Sequence, residues 1–231
     1  MRSDNKNQIP RTLLVGAFGP EVDRLVAGEA VPLGDQAAGV SRRRAFEVLE
    51  AGIGSVAAAV SVQARLLNPA LPPITEILFL GSAGVYDAAV RGRGARFAYS
   101  TRFCKRDLAA IKGEARLPGV TGDVIESRPG VFARELTARR PEFVSGVTNS
   151  TDSVSLVSLQ VTECDFENLE VYGIAYVCKR YEIDFAALLA LTNAVGPDGS
   201  DEWRANYREM SLELQQIVLD SLTADDAGSG L

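Results

Sequence analysis

The chain has 231 residues, a formal charge of −6 and no histidine, which together remove several function classes. An acidic chain whose longest basic run is Arg42, Arg43 and Arg44 lacks the clustered positive surface that nucleic-acid phosphates need. Without imidazole, Ser-His-Asp and Cys-His machinery and histidine-ligated zinc are excluded, so acid–base chemistry falls to carboxylates, Tyr, Lys or Cys.

Cys104, Cys164 and Cys178 lack the paired spacing of a zinc site and sit in apolar or strand-like surroundings, so they read as buried free thiols. No apolar stretch reaches the ~20 residues of a membrane span, and Met1–Pro10 lacks the apolar core of a secretion signal. A cytoplasmic protein with no membrane or nucleic-acid partner is expected.

No linker or shift of composition divides the chain, which predicts one domain over residues 12–223 between flexible tails at 1–11 and 224–231. The apolar run from Thr12 to Ala17 predicts a buried strand, followed by a Gly19-Pro20 turn and a helix starting at Glu21. A carboxylate in a first helical turn interacts favourably with the helix dipole, so Glu21 alone does not separate a structural acid from a catalytic one. Ala45–Ala51 predicts a second strand, and Gly52-Ile53-Gly54 a turn into a helix of small residues that packs closely on a sheet. That turn is a poor dinucleotide fingerprint, because Ala57 stands at the third glycine position and no acidic partner follows a second strand at the expected distance. Glu76–Leu80 predicts a buried strand running into Gly81-Ser82-Ala83-Gly84. These small residues suit a plain turn and equally a place where backbone amides approach a ligand.

Further strands are expected within residues 95–107, 122–127 and 141–150, and a short helix from Asp152 to about Leu159 with Thr151 or Asp152 as N-cap. Residues 163–199 predict a strand, a helix beginning near Glu170, and a buried strand Phe185–Leu191 that stops at Thr192-Asn193. Glu170 and Asn193 then lie at element ends on one side of a sheet, the edge at which open α/β sheets bind ligands. Ser200–Leu222 predicts an amphipathic helix whose stripe, Trp203, Tyr207, Met210, Leu214, Ile217, Val218 and Leu222, belongs to the core. Strands alternating with helices indicate an α/β sandwich.

Four segments, in this order, resemble the nucleoside phosphorylase and hydrolase superfamily, in particular futalosine hydrolase and next 5′-methylthioadenosine/S-adenosylhomocysteine nucleosidase. They are GAFGPEV (16–22), AGIGSVAAA (51–59) with ILFLGSAG (77–84), VTNSTDSV (147–154), and ENLEVYGIAYVC with LLALTNAVG (167–196). The resemblance implies a three-layer αβα sandwich with a mixed central sheet, a homodimer, no metal or organic cofactor, and cleavage of a purine nucleoside at its N-ribosidic bond. It further implies that Glu21 polarises the attacking water and that Glu170, beside apolar Leu169, binds the ribose hydroxyls. Ser82, Ala83 and Gly84 match the loop near the base, and Asn168 matches the futalosine hydrolase form of the ENLE segment. The chain departs from the pattern at Thr151, at Val154 where an aromatic would stack on the purine, and at Val171-Tyr172 where small residues are usual.

Two substitutions carry chemical meaning. Hexameric phosphorylases of this superfamily bind phosphate with an arginine at the position of Phe79, and an apolar ring cannot replace a guanidinium, which favours water as nucleophile. Asn193 stands where the methylthioadenosine enzymes have an aspartate that protonates purine N7. An amide is no acid, but its NH2 can donate to N7 and to a carbonyl at C6, which suits a 6-oxopurine such as the hypoxanthine of futalosine, a nucleoside of menaquinone biosynthesis. Cleavage of 5′-methylthioadenosine or S-adenosylhomocysteine, phosphorolysis, and nucleoside binding without catalysis are the alternatives.

Overall fold

The structure, a computed structural model, describes residues 11–29, 45–106, 108–116, 124–158, 161 and 163–227. Residues 1–10 and the run Arg42–Arg44 lie outside them. The strands are β1 (Arg11–Gly16), β2 (Ala45–Glu50), β3 (Glu76–Val85), β4 (Phe97–Cys104), β5 (Ile125–Glu126), β6 (Phe143–Ser150), β7 (Phe166–Asn168) and β8 (Asp184–Ala194). The helices are α1 (Asp23–Glu29), α2 (Ser55–Leu67), α3 (Ala88–Gly92), α4 (Leu108–Ile111), α5 (Val131–Ala138), α6 (Val171–Tyr181) and α7 (Gly199–Ala227).

Strand side chains alternate between faces, so a sheet whose runs are apolar throughout must be covered on both sides. Leu13, Val15, Ile77, Phe79, Phe185 and Leu189 face a core shared with Ala58 and Val62 of α2 and Ile174 and Cys178 of α6. Their neighbours Leu14, Leu78, Leu80, Ala186 and Leu188 face the opposite core, closed by Leu25 of α1, Phe132 of α5, and Leu214 and Val218 of α7. The result is the expected three-layer αβα sandwich with a mixed central sheet.

Parallel pairing joins β2 to β1, β1 to β3, and β3 to β8. β4 runs antiparallel to β8 and parallel to β6, and β7 runs parallel to β6. At its far end β3 also pairs with β7, through Gly84 and Val85. The path β3–β8–β4–β6–β7 therefore returns to β3 and closes one end of the sheet into a ring.

Three local expectations need correction. Gly81 to Gly84 do not turn; they continue β3, because β8 extends alongside and pairs with it through Val85. β8 likewise does not stop at Thr192. Ala83 pairs with Leu191 and Gly84 with Asn193, so Thr192 is the extra residue of a bulge and Asn193 remains in the sheet. The helix expected from Asp152 does not form in the described residues 151–158. Its polar groups bond elsewhere: Thr151 Oγ1 donates to Ser153 O at 2.7 Å, and Ser155 donates from N and Oγ to Glu167.

Candidate active site

A cavity of about 310 Å³ opens where β1, β3 and β8 end and α6 and α7 begin, within the size range of small-molecule sites. All eight residues singled out from the sequence line it: Glu21, Ser82, Ala83, Gly84, Asn168, Leu169, Glu170 and Asn193.

Glu21 sits in a single 3-10 turn, Gly19–Glu21, rather than in a regular α-helix, and is only 4% exposed. Its Oε2 accepts the Ala17 N–H at 2.8 Å; Oε1 accepts the Ser82 N–H at 3.1 Å and faces the Ser82 hydroxyl at 3.4 Å. Burial raises its pKa to about 8, and the nearby Glu170 charge adds to the rise against the lowering effect of these donors. Glu21 therefore keeps its proton at neutral pH in the ligand-free protein.

Glu170 stands at the N-cap of α6. Burial raises its pKa also, opposed by the Gly54 N–H, which donates to Oε1 at 2.9 Å. That bond gives the glycine turn its purpose. Gly54 has φ +90°, a conformation that side chains other than glycine rarely adopt, and it aims its amide at the carboxylate. Asn168 fastens the same corner: its Oδ1 accepts the Glu170 and Val171 N–H groups at 2.8 and 3.0 Å, and its Nδ2 donates to Ser82 O at 3.0 Å. The Asn168 side chain also bonds the Glu170 carboxylate and so favours its ionised form.

Asn193 is held by its neighbours. Its Oδ1 accepts the Thr192 hydroxyl at 2.9 Å and its Nδ2 donates to Ala194 O at 3.0 Å. A main-chain carbonyl only accepts, so this contact fixes which end of the amide is nitrogen. One amide hydrogen remains free, not two. The double donation to N7 and O6 expected from the sequence thus contracts to a single hydrogen bond in this conformation. Gly84 is required beside it, since a Cβ there would lie 2.9 Å from Asn193 Nδ2.

Further residues belong to the cavity. Trp203, assigned to the core stripe, instead lines it and donates from Nε1 to Ser82 Oγ at 3.0 Å, while the rest of the stripe, from Met210 onward, is core. Trp203 stacks on Tyr207 with centroids 4.4 Å apart, and Phe18 packs against both rings. Glu167, the first residue of the ENLE segment and not among the expected site residues, also lines the cavity and accepts from Tyr86 and Ser155. Val154 lines the cavity half-exposed, Thr151 is buried, and Phe79 lies wholly in the core beneath. Arg204 is the single cation among the described lining residues, and it is paired with Asp201 at 2.6 Å.

Compared by sequence, the chain matches no family model and no curated protein. Compared by fold, it is similar to solved nucleosidases. Helicobacter pylori 5′-methylthioadenosine/S-adenosylhomocysteine nucleosidase aligns with TM-score 0.74 and 14% identity over 94% of this chain and 100% of that one. A futalosine hydrolase mutant from the same organism aligns with TM-score 0.74 and 16% identity, over 94% and 100%. The 5′-methylthioadenosine/S-adenosylhomocysteine nucleosidase of Colwellia psychrerythraea, solved in complex with adenine, gives TM-score 0.70 and 18% identity over 93% and 95%. The fold is the one these solved structures share, over 95% or more of the length of each.

Proposed function

We propose that the protein is a purine nucleoside N-ribosyl hydrolase, and that its substrate is a 6-oxopurine nucleoside with futalosine first among candidates. The observation that carries this is the meeting of two buried carboxylates, Glu21 and Glu170, with the Asn193 amide in one cavity. Departure of the base builds positive charge on the ribose, which carboxylates stabilise. Glu170, held in place by the Gly54 N–H and the Asn168 side chain, is positioned to accept the ribose hydroxyls. Glu21, in the ionised fraction that grows as pH rises toward its pKa of about 8, takes the proton of the attacking water, and the free Asn193 amide hydrogen donates to the departing base at N7 or O6. Water rather than phosphate is supported by charge: carboxylates dominate the described lining, and its one cation is already paired.

The domain over residues 12–223 is proposed to act as a cytoplasmic homodimer, its unpaired thiols fitting a reducing compartment. α2 has a second apolar stripe besides its core face, with Val56 76% and Val60 60% exposed, and Ile53 at the cavity mouth continues it. A self-complementary contact there would shield the stripe and border the site.

Glu21→Gln tests the catalytic assignment. The variant is expected to keep its circular dichroism spectrum and lose at least about a hundredfold in kcat, because an amide cannot accept the water's proton. Turnover near the wild-type rate would remove Glu21 from the mechanism.

A further inference from the structure

Glu167 has no part in the mechanism above, yet it lines the same cavity. Gly84 of β3 pairs with Asn193 of β8 on one side and with Glu167 of β7 on the other. Residues paired across strands project to the same face. The amide and the carboxylate thus flank a glycine, with their backbones roughly 10 Å apart, twice the ~4.8 Å strand spacing.

The bonds around Glu167 have a fixed direction. Arg106 N–H donates to Asn149 Oδ1 at 2.7 Å, and a main-chain N–H can only donate. Asn149 Nδ2 is therefore the atom that faces the Tyr86 hydroxyl, at 2.9 Å, and it donates to that oxygen. The Tyr86 hydroxyl in turn donates to Glu167 Oε2, at 3.0 Å. Ser155 Oγ donates to the same oxygen at 2.9 Å, and Ser155 N to Oε1 at 3.3 Å. Three donors fill three of about four lone-pair sites, so what Glu167 keeps for a ligand is an acceptor on Oε1.

We propose that Glu167 is a base-specificity residue that accepts the N1–H of a 6-oxopurine whose N7/O6 edge meets Asn193. The inference rests on the nucleosidase reading of the cavity. A 6-oxopurine carries a proton on N1; adenine presents a lone pair there, which opposes the carboxylate's own. A buried acceptor left facing an acceptor is costly, so the carboxylate selects against adenine by roughly tenfold or more.

The test is calorimetric titration of the full chain and of Glu167→Gln with hypoxanthine, 1-methylhypoxanthine and adenine. Wild type is expected to bind hypoxanthine at least about tenfold more tightly than the other two, and Glu167→Gln to reduce the margin over adenine below about threefold. An undiminished margin in the variant overturns the proposal. So does equal binding of hypoxanthine and 1-methylhypoxanthine by wild type, a result that needs no variant to fold. Preference of wild type for adenine overturns this proposal and leaves the nucleosidase reading standing; failure of all three bases to bind at millimolar concentration overturns both.

Discussion

Glu21 ties function to stability. Its folded pKa is about 8 against an ordinary value of 4.5, so between those limits the unfolded chain has lost a proton that the folded chain keeps. Stability from this group is fully present below about pH 4.5 and is lost as pH rises through about 8. Glu21→Gln removes that loss. Thermal melts at a series of pH values should show the variant gaining on wild type progressively from pH 5 to 8; a constant difference across that range would mean that the buried carboxyl is not the titrating group. At this scale the sequence singled out residues that the structure brings to one cavity, Glu170 and Asn193 among them. It was silent where chemistry depends on which hydrogen is already in use. Nothing in the sequence shows that Ala194 O takes one Asn193 hydrogen, or that Asn168 spends most of its amide fastening α6.

Among elements, β3 shows why a glycine-rich segment can be misread. Gly81 to Gly84 carry turn composition, yet their partner strand β8 continues and the ladder continues with it. The loss of a bend is a gain for the site, because an extended β3 sets Ser82 against Glu21 and Gly84 against Asn193. α5 was not anticipated at all, and the reason is physical: its Phe132 and Ala133 N–H groups are capped at 3.1 and 3.2 Å by Glu76, more than fifty residues away. A local capping signal does not exist there. Glu76→Ala leaves these buried donors without that acceptor and should cost about 1–3 kcal/mol, lowering the melting temperature by roughly 2–10 °C while the substrate cavity is untouched. An unchanged melting temperature would show that another group caps α5.

For the whole molecule, strands alternating with helices made an α/β sandwich legible and the family resemblance implied its three layers; strand runs apolar on both faces need helices to cover each. Ring closure from β3 back to itself through β7 was not legible. It depends on pairings between strands more than eighty positions apart. The exposed stripe on α2 predicts self-association. Sedimentation velocity should give a dimer for wild type and a monomer for Val60→Lys, with weaker turnover in the monomer because Ile53 borders both stripe and cavity. A monomeric wild type with full activity would contradict that arrangement. The central claim, water-driven release of an oxopurine, is tested most directly by chromatography of the bases freed from futalosine and from 5′-methylthioadenosine, each with and without phosphate. The expected result is hypoxanthine from futalosine at a rate that phosphate does not change; release of adenine alone, or turnover that requires phosphate, would contradict it.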